Sequence, residues 1–586
     1  MNFELLSNEI ILDLFDYFNG MDLLRAFYGI NVRLNLLLYQ QFRGYHFNFF
    51  SVSKCQFDLV CQHHIPFIVD RIVTLTVSDY ELTPEQINLF LSYVPSISQF
   101  TNLRSLTLWN IRSSRTLLKI TEEFHHLHNL IRLNLSFHLY YDDQVDFQLI
   151  NNNILSISKL THCHYESYFG KQQYFHIPTK LSRFLRNLYI SNFKIRWNQI
   201  YQLFLYASRM KHLSIYIDSD ENDQHKLFSC PTLNDLSIII FNIDDNSKMI
   251  SFLQNLSNLH CLKINLAGNL IDGCQWEQVI RYYLPKLKVF YLNMKQKFSV
   301  NQNIQERVDE LIHSFESSFW INEHKWFVRC FTYGRSIVLE TLSEIYYHFQ
   351  TKLPDSCKST NPQDDHQKFY NTIRNIYCDR FFDQPFSFNF CLSEILHLSI
   401  KFPIHNRFWS IVPSLKKLSS LTVSSISDAF QSQFQTLLDR APHLHRLSIS
   451  QDKSLPLQMS LFKYTTGSIR RLDLNQYNYQ FNEEECLTLS HSPLSVRCEI
   501  LFIQVTNREC IINLIKNMIN LRALYIKYED GEYFKHLSSI NNVDESHNAN
   551  TLNNDHLVQW LKNHLPSTCS IVRNSNPIDQ IQIWIQ

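Results

Sequence analysis

A six-residue phrase, apolar-x-x-Leu-x-apolar, recurs along most of this chain. It stands at Ile72-x-x-Leu75-x-Val77, Leu103-x-x-Leu106-x-Leu108 and Leu130-x-x-Leu133-x-Leu135. Further copies begin at Ile157, Leu185, Met210, Leu233, Leu259 and Leu287, and the phrase resumes at Ile395, Leu418, Leu444, Ile469, Cys498 and Leu521. The period drifts over roughly 23 to 28 residues, so the chain is a repeat array. Within one copy Leu106 and Leu108 fall on one face of a strand and Ser105, Thr107 and Trp109 on the other. Between copies, stretches such as Pro84 to Tyr93 and Gln199 to Tyr206 carry helical spacing and predict return helices. One strand and its helix cannot bury these leucines alone. Stacked units share a continuous core, and their strands form a parallel sheet with one outward face.

The phrase is lost between Lys295 and Phe390. There Gln305 to Phe319 predicts a helix, Trp320 to Thr332 and Ser336 to Leu342 predict strands, and Lys352 to Lys368 is polar and turn-rich, the pattern of a mobile loop. Asp530 to Asn554 is polar and predicts loose chain. Leu557 to Leu561 and Ile578 to Ile585 predict a helix and an alternating strand that cover the C-terminal end.

The N-terminus follows a different period. Leu6, Ile10, Leu14 and Phe18 recur every four residues with Ile11 and Phe15 beside them, so the first helix carries a broad apolar stripe opposite Glu9, Asp13 and Asp16. Ser7 or Asn8 caps its start, and Asn19-Gly20 is expected to stop it. Asp22 is expected to cap a second helix, Leu23 to Tyr28, ended by Gly29, and a third begins near Asn31 with Leu34, Leu37 and Leu38. Three short helices cannot bury all of these side chains among themselves, so part of the stripe must face another surface.

In order and spacing, Leu6, Glu9, Ile10, Ile11, Leu14, Phe15, Phe18, Asp22 and Leu23 resemble the F-box family. Ser7 stands where that family usually has Pro, and Asn31-Val32-Arg33-Leu34 replaces its Cys-Lys-x-Trp-like third helix. The repeat phrase resembles the leucine-rich-repeat family, without its usual Asn or Cys at the ninth position, where Ile111, His138 and Phe193 stand. Jointly the chain is similar to F-box proteins that carry such repeats. The fold this implies is α/β, a three-helix F-box over 1–45 followed by an irregular horseshoe-shaped solenoid with parallel strands. A connector would span 46–70, the first half of the solenoid 71–294, an irregular insertion 295–390, and the second half with its C-terminal cap 391–586. The function it implies is that of a substrate-recognition adaptor of a Skp-cullin-F-box ubiquitin ligase. Leu6, Glu9, Ile10, Leu14, Phe15, Phe18, Asp22 and Leu23 would dock a Skp-family adaptor and, through it, a cullin.

The protein substrate is unnamed by the sequence, and the outward strand face is expected to hold it. Arg132, Tyr189, His212, Tyr216, Lys263, Tyr291, Lys401, Arg446, Arg471 and Tyr525 lie there, and tyrosine and arginine are the types that anchor interfaces. A repeat scaffold that recruits no ligase is the alternative. An enzyme would need a pocket with convergent His and acidic groups in the 295–390 insertion.

Charge and chemistry narrow this further. Lys+Arg 54 balance Asp+Glu 54, so no global basic field draws the chain to nucleic acid or an anionic membrane. No apolar run suits a signal peptide or a membrane span, which points to an intracellular protein, cytoplasmic or nuclear. The 14 cysteines include no Cys-x-x-Cys pair and read as free thiols. Cys55, Cys61, His63 and His64 match no closed zinc ligand set. His125, His126 and His128, and His162-Cys163-His164, read as turn and core-edge features. No catalytic residue, metal or cofactor is expected, since no nucleophile elbow, His-Glu-x-x-His or phosphate-binding glycine motif occurs.

Overall fold

The computed structural model describes residues 5–139, 145–168, 173–178, 180–218, 230–243, 246–299, 302–342, 349–350, 354–377, 382, 390–425, 427–450, 462–477, 479–528, 556–573 and 580–585. Three N-terminal helices, α1 (Asn8–Phe15), α2 (Gly20–Phe27) and α3 (Val32–Leu36), lead into the first strand. The strands then follow as β1 (Tyr45–Asn48), β2 (Ile72–Ser78), β3 (Ser105–Ile111), β4 (Arg132–Phe137), β5 (His162–Ser167), β6 (Gln173–Tyr174), β7 (Asn187–Ile195) and β8 (His212–Asp218). Next come β9 (Asp235–Ile243), β10 (Cys261–Gly268), β11 (Val289–Lys297), β12 (Val328–Tyr333) and β13 (Ser336–Thr341). These belong to a 14-stranded sheet, parallel from β1 to β11, which turns antiparallel through β13 and β12 and ends on β15 (Ser356–Ser359).

A second sheet of 10 strands starts on β14 (Phe349–Gln350) and β16 (Asn375–Ile376). It continues in parallel through β17 (His397–Lys401), β18 (Ser420–Ser424), β19 (Arg446–Ser450), β20 (Arg471–Asp473), β21 (Ile500–Gln504) and β22 (Ala523–Lys527). It closes with two antiparallel strands, β23 (Ser570–Arg573) at the edge and β24 (Gln580–Trp584) beside β22. The fold is thus mixed α/β with large, mainly parallel sheets and no closed barrel.

The repeat phrase locates these strands because its leucines point into the layer between sheet and helices. Leu106, Leu133, Leu188, Leu213, Leu236 and Leu262 are buried and register across neighbouring strands. One copy is displaced: the phrase placed at Ile157 belongs at Leu160-x-x-Cys163-x-Tyr165, since β5 starts at His162. Cys163 and Tyr165, both buried, fill positions where leucine and isoleucine stand elsewhere. Helices start where a short polar side chain accepts from the backbone, as Ser113 does from Thr116 and Asp272 from Gln275.

Several local expectations are corrected. Asn19-Gly20 does not stop α1; Asn19 is the N-cap of α2, its Oδ1 accepting from the Asp22 N–H at 2.9 Å. Gly20 is instead required by packing, because a Cβ there would lie 2.5 Å from the Phe47 ring. Gly29, at φ +80°, ends α2 as expected. The 46–70 connector contributes most of β1 to the first sheet, and the turn-rich 352–368 stretch, read as a mobile loop, holds β15 and the start of the helix His366–Tyr370. The 295–390 insertion both completes the first sheet and starts the second. Asp530 to Asn554 lies outside the described residues.

The two sheets meet at both of their ends. On one side Phe331 of β12 packs 4.5 Å from Phe369, and a buried Arg329–Asp364 pair lies beside them. On the other side Trp584 of β24 packs 5.4 Å from Phe57, in the helix Lys54–His63, and joins the core of the first sheet.

Close backbone packing makes one glycine a sensitive probe of this stacking. A Cβ on Gly273 would lie 2.2 Å from the Ser314 carbonyl oxygen, whereas one on Gly467 meets nothing within 4 Å. Gly273→Ala is expected to lower stability by about 1–3 kcal/mol, and Gly467→Ala by no more than about 0.5 kcal/mol, measured from urea midpoints.

Candidate interaction surfaces

The stripe of α1 serves two surfaces. Ile11 and Phe15 are fully buried, and the Phe15 ring stands 5.0 Å from Phe27 and 5.7 Å from Phe42. Leu23 is buried as well. Phe15 and Leu23 therefore belong to the chain's own core, which corrects their placement among the outward docking residues. Leu6, Leu14 and Phe18 sit at the boundary, half-buried, while Glu9, Ile10 and Asp22 are exposed. Ile10, at 52% exposure, has Val32 (75%) and Leu36 (44%) of α3 as exposed apolar counterparts. Arg33 ties the two helices, its Nε donating to Asn8 Oδ1 at 2.9 Å and its Nη2 to the Leu6 carbonyl. Glu9 is held below the usual carboxylate range by a backbone N–H and by Ser7, so it stays ionised at the positive end of α1.

On the first sheet the outward residues named from the sequence stay exposed or half-exposed, while Val328 to Thr332 of β12 and Leu339 to Thr341 of β13 are buried. Arg132 and Tyr189 are exposed, with His164 6.0 Å from the Tyr189 ring. His212 Nδ1 pairs with Asp235 at 2.6 Å, Tyr216 stacks on Phe241 at 5.0 Å, and Lys263 lies over the Tyr291 ring at 4.6 Å. Tyr189, His212, Asp235, Cys261 and Lys263 line a shallow hollow of about 380 Å³.

On the second sheet the corresponding residues are divided. Lys401 remains half-exposed, but Arg446, Arg471 and Tyr525 are taken up by the chain itself, which corrects their assignment to a free binding face. The loop after β2 seats on them. Arg471 makes a two-point contact with the Glu81 carboxylate at 2.8 and 3.0 Å, and Arg446 donates to the Tyr80 hydroxyl at 3.0 Å. The Tyr525 hydroxyl donates to the Glu81 carbonyl at 3.0 Å, and burial pushes this phenol well above its ordinary range. Leu82 packs on the apolar outward face formed by Ile500, Phe502, Ala523 and Tyr525. Phe502 stacks on Tyr525 at 4.3 Å beneath the Arg471 guanidinium. Apolar residues at outward positions of β21 and β22 were the available signal, since both strands lose the alternation kept by β17, β18 and β19 of the same sheet.

The loop is pre-shaped by a buried polar network. Gln86 accepts from the Ser78 N–H and donates to the Phe49 carbonyl, each at 3.0 Å, and Asp79 Oδ1 accepts from the Ile87 N–H at 2.8 Å. Burial raises the Asp79 carboxyl well above its ordinary range, and nearby Glu85 adds to the effect.

A ladder of asparagines links neighbouring units, beyond what the leucine spacing predicts. Asn102, Asn129, Asn258 and Asn520, each directly before the first apolar residue of a phrase, donate to backbone carbonyls in the preceding unit at 2.6 to 2.9 Å. The repeated Asn-Leu-x-x-Leu spelling carried that signal.

Among the described residues no group of three His, Cys, Asp or Glu could hold a metal ion, and no helix is long and apolar enough to cross a membrane. His125 and His126 are exposed, at the end of the short 3-10 helix Phe124–His126. No protein-family model matches this chain, and no curated protein matches it.

Two outcomes test the clasp. Leu82→Asp places a charge on Phe502 and Tyr525 and is expected to cost about 2 kcal/mol or more, whereas Tyr189→Ala on the open face changes stability by less than about 0.5 kcal/mol. For Asp79 the folded carboxyl binds its proton more tightly than the unfolded one, whose pKa is about 3.9. Its contribution to stability is therefore fully present in acid and is lost as pH rises above about 4 toward the raised folded value. Asp79→Asn keeps an oxygen for the Ile87 N–H, so thermal melts across pH 4 to about 8 should show a flatter profile than the parent, with the gain at the alkaline end.

Proposed function

We propose that this chain is a substrate-recognition adaptor of a Skp-cullin-F-box ubiquitin ligase, with an F-box-like N-terminus and a leucine-rich-repeat-like body. The reading rests on the resemblance of Leu6 to Leu23 to the F-box pattern, and one observation carries it further. Ile10, Val32 and Leu36 stay exposed on a helical unit whose other face is anchored through Phe15, Phe42 and Phe47. Exposed apolar side chains on two helices that Arg33 ties together suit a docking surface. The open face of the first sheet would hold the protein substrate. Such a chain makes and breaks no bond; it contributes proximity, holding a substrate lysine near a partner's activated ubiquitin. A cytoplasmic or nuclear location goes with this role.

A repeat scaffold without ligase recruitment is supported by the burial of Phe15 and Leu23, which makes the same helices a cap on the first strand. The two readings separate on the exposed strip. Removing residues 1 to 41 would strip cover from Phe42 and Phe47, so point substitutions give the cleaner test. Purified full-length chain is expected to bind a purified Skp-family adaptor, and Ile10→Asp with Val32→Asp is expected to weaken binding at least about thirtyfold, as loss of a central apolar anchor does, with unfolding midpoints unchanged. Absence of binding by the parent chain, or full binding by the folded double variant, would remove the adaptor reading.

A further inference from the structure

The row of residues at which the strands of the first sheet begin forms a surface of its own. Just before each strand, a backbone N–H donates to the carbonyl at the same position in the preceding unit. Arg186 donates to Thr161, Lys211 to Arg186, Asn234 to Lys211, His260 to Asn234 and Lys288 to His260, all at 2.7 to 2.9 Å. This ladder sets one rung about every 4.8 Å along the rim. Cations concentrate on it. Lys159, Arg183, Arg186, Arg209 and Lys211 cover the start of β5, β7 and β8, and Lys286 and Lys288 continue the row at β11. All seven are exposed, and none meets a carboxylate among the described residues.

What contacts they make orient them outward. Lys159 and Lys286 donate to Asn129 and Asn258 of the asparagine ladder, at 2.8 and 2.6 Å, and Arg183 and Arg209 lie 5.1 and 5.7 Å from the Phe184 ring. The acid nearest in the row, Asp235, is already held by His212. Like charges gathered without counter-charges repel one another and do nothing for the core, in a protein whose net charge is zero. The rim adjoins the hollow lined by Tyr189, His212 and Lys263, and Ile239 and Phe241 are exposed further along the same strand face.

We propose that this rim binds an acidic polypeptide segment, its carboxylates on the arginines and lysines and an apolar side chain seated in the hollow. An extended peptide sends successive side chains to opposite sides, which lets one row face the cations and the other the strand face. A single nucleic-acid strand fits less well, because it needs a series of free aromatic faces for its bases. Here Tyr216 is stacked on Phe241, Tyr291 is covered by Lys263, and Phe184 lies between two arginines. The inference rests on the adaptor reading for the identity of the segment as part of a substrate, while the contact itself does not involve the N-terminal helices.

The test is fluorescence anisotropy with the full-length chain and three labelled probes. These are a peptide of repeated Glu-Asp-Glu-Leu, its uncharged Gln-Asn-Gln-Leu counterpart, and a single-stranded oligonucleotide of the same net charge. The expected result is saturable binding of the acidic peptide, weakened by salt, with no binding of the uncharged one. Arg186→Glu with Lys211→Glu should reduce it at least about tenfold, and Lys286→Glu with Lys288→Glu, at the far end of the rim, should reduce it as well. Absence of binding by the acidic peptide, equal binding by the parent and both folded variants, or tighter binding of the oligonucleotide would overturn the proposal. Loss of Skp-family binding leaves these measurements unchanged, so the two readings fail separately.

Discussion

Leu82 on Phe502 and Tyr525, with Glu81 on Arg471, is the contact on which the closure of this molecule depends. A stack of strand–helix units buries each unit against its neighbours, which leaves the first and the last with an uncovered face. Here each end covers the other. Trp584 from the last strand completes the core around Phe57, and Arg522 donates to the Ser51 carbonyl at 2.7 Å. The Arg471–Glu81 pair is only partly screened by solvent, with side-chain exposures of 17% and 23%, so it orients the loop as well as attracting it. The apolar contact beneath excludes water from the pair, which strengthens it relative to a fully exposed bridge.

The closure has a consequence for function. Outward strand residues on two sheets of one repeat array are chemically similar in sequence, yet Arg132, Tyr189, His212 and Lys263 of the first sheet and Lys401 of the second keep an accessible side, while Arg446, Arg471 and Tyr525 are covered. Arg446, Arg471 and Tyr525 read as interface anchors because arginine and tyrosine are what interfaces use, and they do anchor one, between parts of the same chain. The N-terminal helices show the same division on a smaller scale. A stripe six residues wide in pattern splits between Ile11 and Phe15, which hold the helix down, and Ile10, which faces out.

Period was legible and partnership was not. Leucine spacing located β2 to β4, β7 to β11 and β17 to β22, because one buried layer imposes the same inward positions on each unit, and it missed the short parallel strands β1, β6, β14 and β16, which carry no copy of the phrase. Where the layer accepts Cys163 and Tyr165 instead of leucine and isoleucine, the strand lies three residues beyond the position that the leucine spacing implies. Gly20 illustrates a second limit. It spells a helix stop after Asn19, but its smallness answers to the Phe47 ring, a neighbour that local spacing does not reveal. Glu81 and Arg471 lie 390 residues apart, and no local pattern encodes that separation. The apolar outward positions of β21 and β22 did carry a trace of it, as a loss of alternation that required a cover.

Net charge conceals arrangement in a similar way. A balance of 54 cations and 54 anions argues against a global field, and that inference holds at distances well beyond the Debye length of about 8–10 Å. Within that distance what matters is which charges the backbone ladder places side by side. The repeat delivers the turn before each strand to the same rim, so Arg and Lys placed in several of these turns, at Arg186, Lys211 and Lys288 directly before a strand and at Lys159, Arg183, Arg209 and Lys286 just upstream, gather along one rim once the units stack. A repeat array thus converts charges scattered among its turns into a surface, and the surface acquires a chemistry that none of its units has alone.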